Sequence, residues 1–283
     1  MSEQLALFGG QIVPTRPAKP ALRFYGGKWS LAEWIISHFP HGFETMHYVE
    51  PFGGSAGVLL WKPPSFLETY NDLDSRLVTF FRVLRDRREE LIRILESTPF
   101  SRDEYRASYD PTPDELETAR RVFISLYQSI GGTPGRLSGW RVQRAKDARY
   151  TSSANEWVRA VDNLDLIAGR FRAVQIENLP AIELIRRTDS PETLFYVDPP
   201  YPMETRGSKG RSYSHEMGVD DHRRLAETLA GVRGFVILSS YRTGLYDELF
   251  SNWVRVDRET RTNSGGSAVE SLYLSPRFAA EPG

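Results

Sequence analysis

The sequence predicts an α/β fold, a mainly parallel sheet interrupted by a helical insertion. The first observation is the apolar run Leu194–Val197, typical of a strand buried on both faces, which two prolines terminate. The second is a strand, glycine loop and helix over 46–60, followed about 20 residues later by a strand that ends at Asp72. The third is helical periodicity from Ser75 to Leu164, where the alternation of strands and helices stops.

The composition is ordinary for a soluble globular protein, with 283 residues, 40% hydrophobic and 26% charged. The absence of cysteine excludes disulfides and thiolate metal sites, and it is compatible with the cytoplasm, where we expect the protein. No apolar run is long enough to span a membrane and we recognise no signal peptide. Because the net charge is −1, nucleic-acid binding would depend on local basic patches.

Residues 1–20 contain three prolines and two adjacent glycines, which predict a flexible tail. This tail carries a glutamine and three apolar side chains, namely Gln4, Leu5, Leu7 and Phe8. The segment resembles the short peptide by which bacterial replication and repair proteins dock on the sliding clamp, where apolar anchors enter a groove. The alternative is a tail with chance apolar residues.

Two glycine-containing segments follow. In the first, Gly26 and Gly27 allow close approach of backbone to a ligand, and they are flanked by Phe24, Tyr25 and Lys28; a simple glycine turn is the alternative. The second follows a strand at Tyr48–Val49 and consists of Pro51, Phe52, Gly53, Gly54, Ser55, Ala56 and Gly57. The strand Phe66–Tyr70 then leads to Asp72, at the spacing where an acidic side chain binds ribose hydroxyls. Asp72 could instead cap the next helix.

Helical patterns dominate the middle of the chain. One long helix is predicted over 75–96, with a buried stripe of Leu77, Phe80, Phe81, Leu84, Leu91 and Leu95. A capping box at Thr112–Glu115 opens a second helix, with the stripe Leu116, Val122, Phe123, Leu126 and Ile130. A third begins at Ser153. We therefore expect a helical insertion over 97–165 between two halves of one domain, 21–96 and 166–283.

Two glycine-rich basic segments have the side chains for DNA contact. The first, 131–144, offers Arg136, Ser138, Trp140, Arg141 and Arg144 for phosphate clamping and base reading. The second, 203–213, offers Arg206, Lys209 and Arg211, and predicts a mobile lid or a DNA-backbone contact. A surface loop with solvated arginines is the alternative for the first.

The second half resumes with a strand at Ala173–Glu177, followed by Asn178-Leu179 and a short helix after Pro180. Beyond the lid segment, a helix from Val219 and a strand at Phe235–Leu238 are predicted. A helix at Leu245–Phe250 and closing strands at Val254–Val256 and Ser271–Leu274 would complete the sheet.

The tetrapeptide Asp198-Pro199-Pro200-Tyr201 ends the apolar strand. A carboxylate and the carbonyl of Pro199 can accept the two N–H bonds of an exocyclic base amine, which frees its delocalised lone pair. Tyr201 can stack on a base that has left the helix. A strand terminator with a chance Asp is the alternative. The tetrapeptide resembles the catalytic signature of DNA amino-methyltransferases.

With the two glycine segments, the order of motifs resembles the Dam-type DNA adenine N6-methyltransferases, as a phage- or prophage-like member. The resemblance implies a Rossmann-like S-adenosylmethionine-dependent methyltransferase sheet with an inserted helical target-recognition subdomain. It assigns cofactor contacts to Phe24, Tyr25, Lys28, Phe52, Gly53, Gly54, Ser55, Asp72, Asn178, Leu179 and Asp198. Asn178-Leu179 stands where the family usually has Asp-Phe; Asn can hydrogen-bond the adenine amine through its side-chain carbonyl, and Leu can cover the ring.

The implied reaction is methyl transfer from S-adenosylmethionine to the exocyclic amine of a flipped-out adenine in double-stranded DNA, in restriction–modification or epigenetic marking. Cytosine-N4 methylation stays open, because the tetrapeptide serves both chemistries. A catalytically silent DNA-binding module is disfavoured by intact Lys28, Asp72 and Asp198. We expect no metal, since paired-His and HxE spacings are missing, and we expect a monomer.

Overall fold

The computed structural model describes residues 5–8, 11–14, 17, 19–132, 137–142, 152–202, 215–261 and 267–280. Near the N terminus, β1 (Leu5–Phe8) and β2 (Gln11–Pro14) form an antiparallel hairpin that is a sheet of its own. The segment expected to be a flexible tail therefore contains regular secondary structure.

The remaining helices and strands follow in chain order. They are α1 (Ala32–Ile36), β3 (His47–Glu50), α2 (Gly57–Trp61), β4 (Leu67–Asn71), α3 (Ser75–Asp86), α4 (Arg88–Glu96), α5 (Arg102–Ala107), α6 (Glu115–Tyr127), α7 (Ser153–Asp162), α8 (Leu164–Phe171), β5 (Val174–Glu177), α9 (Ala181–Thr188), β6 (Thr193–Val197), α10 (Val219–Ala230), β7 (Phe235–Tyr241), α11 (Gly244–Leu249), β8 (Val254–Arg261) and β9 (Ser267–Leu274).

Within the described residues, seven strands form one sheet in the order β5-β4-β3-β6-β7-β9-β8. The five strands from β5 to β7 are parallel, and β9 runs antiparallel to both β7 and β8. The order reverses between β3 and β6. In open α/β sheets this switch point leaves a crevice beyond the carboxyl ends of the strands, where ligands bind. The predicted α/β sheet is confirmed.

The strand predictions hold because they depend on local sequence. All five residues of β6 are buried, as expected of a strand covered on both faces. The closing strands are longer than predicted, because β8 and β9 pair along their whole length from Val254↔Leu274 to Arg261↔Ser267. Their outer parts carry charged residues, which hide the strand pattern in the sequence.

The helix predictions are partly wrong. The single helix over 75–96 is divided at Arg87, whose φ of −131° and ψ of 37° are not helical. Glu89 and Glu90 follow in the first turn of α4, where the helix dipole favours acidic side chains. The apolar stripe predicted over 75–96 is nevertheless buried. Ile130, expected to be buried, is 60% exposed, and α5 and α8 were not predicted.

Helices cover both faces of the sheet with separate apolar cores. On one face α3, α4, α6, α7 and α8 share a core with the strands, in which the rings of Phe80 and Phe123 stack at 6.1 Å. On the other face α9, α10 and α11 pack against Phe195 and Val236. The helices between 97 and 165 thus extend the first core, and both layers leave the carboxyl edge of the parallel strands accessible.

Candidate active site

A cavity of about 370 Å³ lies beyond the carboxyl ends of β3, β4 and β6. This is within the range of small-molecule sites, about 300–1,000 Å³. Its wall includes the segment Phe24–Lys28, most of the glycine loop after β3, Asp72–Asp74 and Asp198. The structure therefore brings together three sequence motifs that are far apart in the chain.

The glycine loop lies directly against β4. A Cβ at Gly53 would lie 2.2 Å from ring atom Cε2 of Tyr70 and 2.9 Å from the carbonyl oxygen of Asn71. Gly54 has φ of +49°, and a Cβ there would lie 3.2 Å from the ring of Phe24. Glycine is therefore required at Gly53 for close packing, and at Gly54 for the backbone conformation that shapes the cavity floor.

Asp72 connects the end of β4 to this loop. Its Oδ2 accepts a hydrogen bond from the Gly54 amide at 2.9 Å, and its Oδ1 accepts one from the Asp74 amide at 2.8 Å. Burial raises the pKa of Asp72 to about 6. The carboxylate that caps α3 is that of Asp74, which accepts from the Arg76 amide. Asp72 is thus a wall of the cavity and does not cap the helix.

Glu50, the last residue of β3, is a second acidic group in the cavity wall. It is buried, and its Oε1 accepts hydrogen bonds from the Tyr48 hydroxyl at 2.7 Å and the Leu59 amide at 2.8 Å. Burial raises the pKa of Glu50 to about 7. Sequence reasoning missed Glu50, although an acidic residue ending a buried strand before a glycine loop is a usable signal.

Asp198 lies just after β6 and is held by two other elements. Lys28 Nζ is 2.9 Å from Oδ2, and the Ser239 hydroxyl at the end of β7 donates to Oδ1 at 2.7 Å. Ser239 Oγ also lies 3.0 Å from the Tyr196 hydroxyl. Lys28 is buried and donates to the Gly26 carbonyl at 2.9 Å. The carboxylate is therefore fixed at the cavity edge, and Ser239 is a further residue that the sequence analysis missed.

Tyr201 is buried beside this carboxylate. Its hydroxyl donates to Glu270 Oε1 on β9, its ring is 4.9 Å from that of Tyr241, and Lys28 Nζ is 4.8 Å from its centroid. Burial raises the pKa of Tyr201 well above its ordinary value. Glu270 was also missed, since a glutamate inside a strand pattern carries no local signal of a site.

Asn178 and Leu179 support the site from outside the cavity. The Asn178 side chain donates to the Asp72 carbonyl at 2.7 Å, and the Leu179 amide donates to Asn71 Oδ1 at 2.8 Å. Among the described residues, the wall at this point consists of Pro180, Ala181 and Ile182. The cofactor contact that the resemblance implies for Asn178 and Leu179 stays a prediction.

The described residues expected to bind DNA make contacts within the protein. The Ser138 amide donates to the Tyr105 hydroxyl at 3.0 Å, and the Trp140 ring lies 4.9 Å from the Arg102 guanidinium. Arg141 pairs with Glu156 at 2.6 Å. Through the Ser138 backbone and the Trp140 and Arg141 side chains, the described part of the loop packs on the helical layer. The other basic residues expected to bind DNA lie outside the described residues, namely Arg136, Arg144, Arg206, Lys209 and Arg211, as does Gln4 of the clamp-like peptide.

The start of this loop is attached to the cavity wall. The Tyr25 amide donates to the Gly132 carbonyl at 2.9 Å, and Arg23 Nη1 donates to the Ser129 carbonyl at 3.2 Å. Gly132 has φ of +62°, and a Cβ there would lie 2.2 Å from the Arg23 carbonyl oxygen. The loop and the segment Phe24–Lys28 therefore form one unit.

The sheet and this site define a Rossmann-like methyltransferase fold. The chain belongs to the D12 class N6 adenine-specific DNA methyltransferase family, whose model matches residues 24–263. It is also 25% identical over 273 residues to the Type II methyltransferase M1.LlaDCHI of Lactococcus lactis subsp. cremoris, an alignment covering 88% of this chain and 91% of that protein. The predicted DNA adenine methyltransferase is confirmed, and the family favours neither cytosine-N4 methylation nor a silent binding module.

No helix among the described residues is both long and apolar enough to cross a membrane. They also contain no group of three or more His, Cys, Asp or Glu side chains arranged to hold a metal ion.

Proposed function

We propose that the cavity binds S-adenosylmethionine and that Asp198, with the carbonyl of Pro199, accepts the N–H bonds of the target adenine amine. The observation that carries this proposal is the position of the Asp198 carboxylate, which Lys28 and Ser239 hold at the cavity edge. Asp72 and the glycine loop lie on the same cavity wall.

The chemistry of the cavity fits this cofactor, which has a cationic sulfonium and ammonium, ribose hydroxyls and an aromatic base. Two carboxylates, Glu50 and Asp72, suit the cationic and hydroxyl groups, and apolar Phe24, Leu77 and Ile182 suit the base. A Cβ at Gly53 or Gly54 would crowd the floor of the cradle. When bound, the cofactor supplies an activated methyl group.

The protein's part of the chemistry is to make the amine nucleophilic. The lone pair of the adenine amine is delocalised into the ring, and two acceptors on its N–H bonds restore density to the nitrogen. Lys28 lies against one oxygen of the Asp198 carboxylate, and Ser239 donates to the other and orients it. Pro199 and Pro200 have no N–H to compete and restrict the loop. Fixed acceptors in a partly buried site stabilise the charge that develops on the amine more effectively than water does.

The target base must leave the duplex to reach this site, as enzymes acting on base atoms require. We propose that Tyr201 stacks on it, beside Tyr241. DNA would be held by the loop that starts at Gly131 and by the basic residues of 133–150 and 203–213. Ile130, just before this loop, and Leu137, within it, are both exposed. Because Gly132 is bonded to Tyr25, DNA engagement would act directly on the cofactor wall.

The test is methyl transfer from radiolabelled S-adenosylmethionine to mixed-sequence duplex DNA, followed by nucleoside analysis. We expect label in N6-methyladenine, reduced about a hundredfold or more in Asp198→Ala. Asp162→Ala, an exposed aspartate on α7, is the matched control and should keep the wild-type rate. Label in methylcytosine would contradict the substrate, and absence of cofactor binding would contradict the cavity assignment.

We also propose that the N-terminal peptide docks on a replication sliding clamp through Gln4, Leu5, Leu7 and Phe8. The hairpin that contains Leu5–Phe8 is separate from the catalytic sheet, so docking there would leave the site accessible. Deleting residues 1–10 should abolish co-elution with a bacterial clamp and preserve methylation. Co-elution that survives the deletion would refute this proposal.

We propose that the enzyme acts as a monomer, in the bacterial cytoplasm on double-stranded DNA. Light scattering at assay concentration tests the monomer. A stable dimer under those conditions would contradict it.

A further inference from the structure

Three buried side chains, Lys28, Tyr201 and Glu270, form a cluster with the partly buried Asp198. Lys28 Nζ lies 2.9 Å from Asp198 Oδ2 and 3.9 Å from Glu270 Oε1. Tyr201 donates its hydroxyl to the same Glu270 oxygen. The side chains of Lys28, Asp198 and Glu270 are 7%, 18% and 4% exposed. The Lys28 ammonium thus lies between a partly buried carboxylate, Asp198, and a buried one, Glu270, and of these two Asp198 belongs to the proposed catalytic group.

The cluster contains a conflict for the proposed reaction. Asp198 must accept an N–H of the target amine, yet Ser239 already donates to one of its oxygens and Lys28 lies against the other. A carboxylate oxygen can accept a second bond, but a lysine at 2.9 Å competes for the same region. The reaction is therefore favoured if Lys28 can move away without losing a counter-ion, because an unpaired buried charge is costly.

We propose that Glu270 is a positioning residue for methyl transfer, the second counter-ion that holds Lys28 when Asp198 engages the target amine. The inference rests on the proposed role of Asp198. The two Lys28 distances differ by about 1 Å, 2.9 Å against 3.9 Å, so a small rotation of the lysine exchanges one carboxylate for the other.

The position of Glu270 suits this role. β9 pairs with β7 so that Glu270 lies opposite Tyr241, which places its side chain beside Tyr201. Burial raises the pKa of Glu270, while Lys28 and the Tyr201 hydroxyl oppose the rise.

A purely structural role would be to hold the Tyr201 hydroxyl. The two roles need different properties of the side chain, and two variants separate them. Glu270→Gln keeps the length and an acceptor oxygen for Tyr201 but removes the charge. Glu270→Asp keeps the charge but shortens the reach to Tyr201. Glu192→Gln, at the exposed amino end of β6 and far from the site, is the matched control.

The experiment measures the single-turnover rate of methyl transfer to duplex DNA with excess enzyme, the cofactor dissociation constant and the thermal unfolding midpoint. We expect Glu270→Gln to lower the rate at least about tenfold, Glu270→Asp about threefold, and Glu192→Gln not measurably, because bonds to charged groups are the stronger ones. Cofactor affinity and the unfolding midpoint should stay close to wild type.

A rate higher in Glu270→Gln than in Glu270→Asp would overturn the proposal, because the acceptor oxygen would then matter more than the charge. Equal losses in both folded variants would also overturn it. If wild type methylates adenine, Asp198→Ala does not, and Glu270→Gln matches wild type, only this inference fails. If wild type transfers no methyl group, the proposed function fails.

Discussion

Glu50→Gln removes a buried charge and leaves its hydrogen bonds in place. Both donors, the Tyr48 hydroxyl and the Leu59 amide, bond to the same oxygen, Oε1. A glutamine carbonyl oxygen can accept both, so the substitution changes charge with little change of shape. The variant therefore measures what it costs the protein to keep an ionised carboxylate in the cavity wall.

The pKa of Glu50 gives the magnitude. Burial raises it from 4.5 to about 7, and each pKa unit corresponds to about 1.36 kcal/mol. Because the folded state holds this proton more tightly than the unfolded state, the free energy of unfolding falls as pH rises from 4.5 to about 7 and is then level. Glutamine does not ionise, so the free energy of unfolding of the variant does not fall with pH for this reason. The variant should therefore be more stable than wild type by roughly 3 kcal/mol at pH 8.

The assay is urea unfolding of the cofactor-free protein at pH 4.5, 6 and 8, followed by circular dichroism. The difference between Glu50→Gln and wild type should grow with pH over that range, whereas Glu192→Gln, an exposed glutamate, should show no such trend. Cofactor affinity at pH 8 should fall about tenfold as a bond to a charged group is lost. A variant that is less stable at pH 8, or a difference independent of pH, would refute the reasoning.

Two further substitutions test the site. Ser239→Ala should lower the single-turnover rate about 10- to 100-fold, since hydrogen bonds to charged groups contribute about 1.5–3 kcal/mol. The control Ser240→Ala, at a residue buried on the opposite face of the same strand, should leave the rate unchanged. Equal losses in the two variants would contradict the role assigned to Ser239. Gly53→Ala should destabilise the fold by about 1–3 kcal/mol and weaken cofactor binding, because its Cβ would meet the Tyr70 ring. Gly244→Ala, with open space around it, should do neither in calorimetry.

The elements that the sequence predicted well are those whose cause is local. β6 is buried at every position, its predicted part Leu194–Val197 is a continuous apolar run, and it ends just before Pro199, which has no backbone donor, so its cause lies in neighbouring residues of the chain. Helix α6 was also predicted, but the capping box expected at Thr112–Glu115 is wrong, because the helix begins at Glu115 and its N-cap is Asp114, which accepts from the Glu117 amide. The break at Arg87 was not visible, because the apolar stripe continues across it and only packing turns α4 away from α3.

Arg141, in the loop expected to bind DNA, and Ile130, just before that loop, also show that local sequence does not decide long-range packing. A basic side chain and an apolar one were expected to be exposed and buried, respectively. The structure pairs Arg141 with Glu156 on α7 and leaves Ile130 60% exposed. Glu156 belongs to another helix, and no local pattern indicates which distant residue will neutralise an arginine.

The sequence by itself determined the α/β class, the carboxylate and prolines after β6, and the glycine segments of a cofactor cradle, since each depends on residue types within a short stretch. Only the tertiary structure decided which side chains meet at the site. Lys28 lies against Asp198, and Ser239 and Glu270 come from β7 and β9, because the sheet order places β7 beside β6 and β9 beside β7. Strand order depends on long-range packing, which the local periodicity of a sequence does not record.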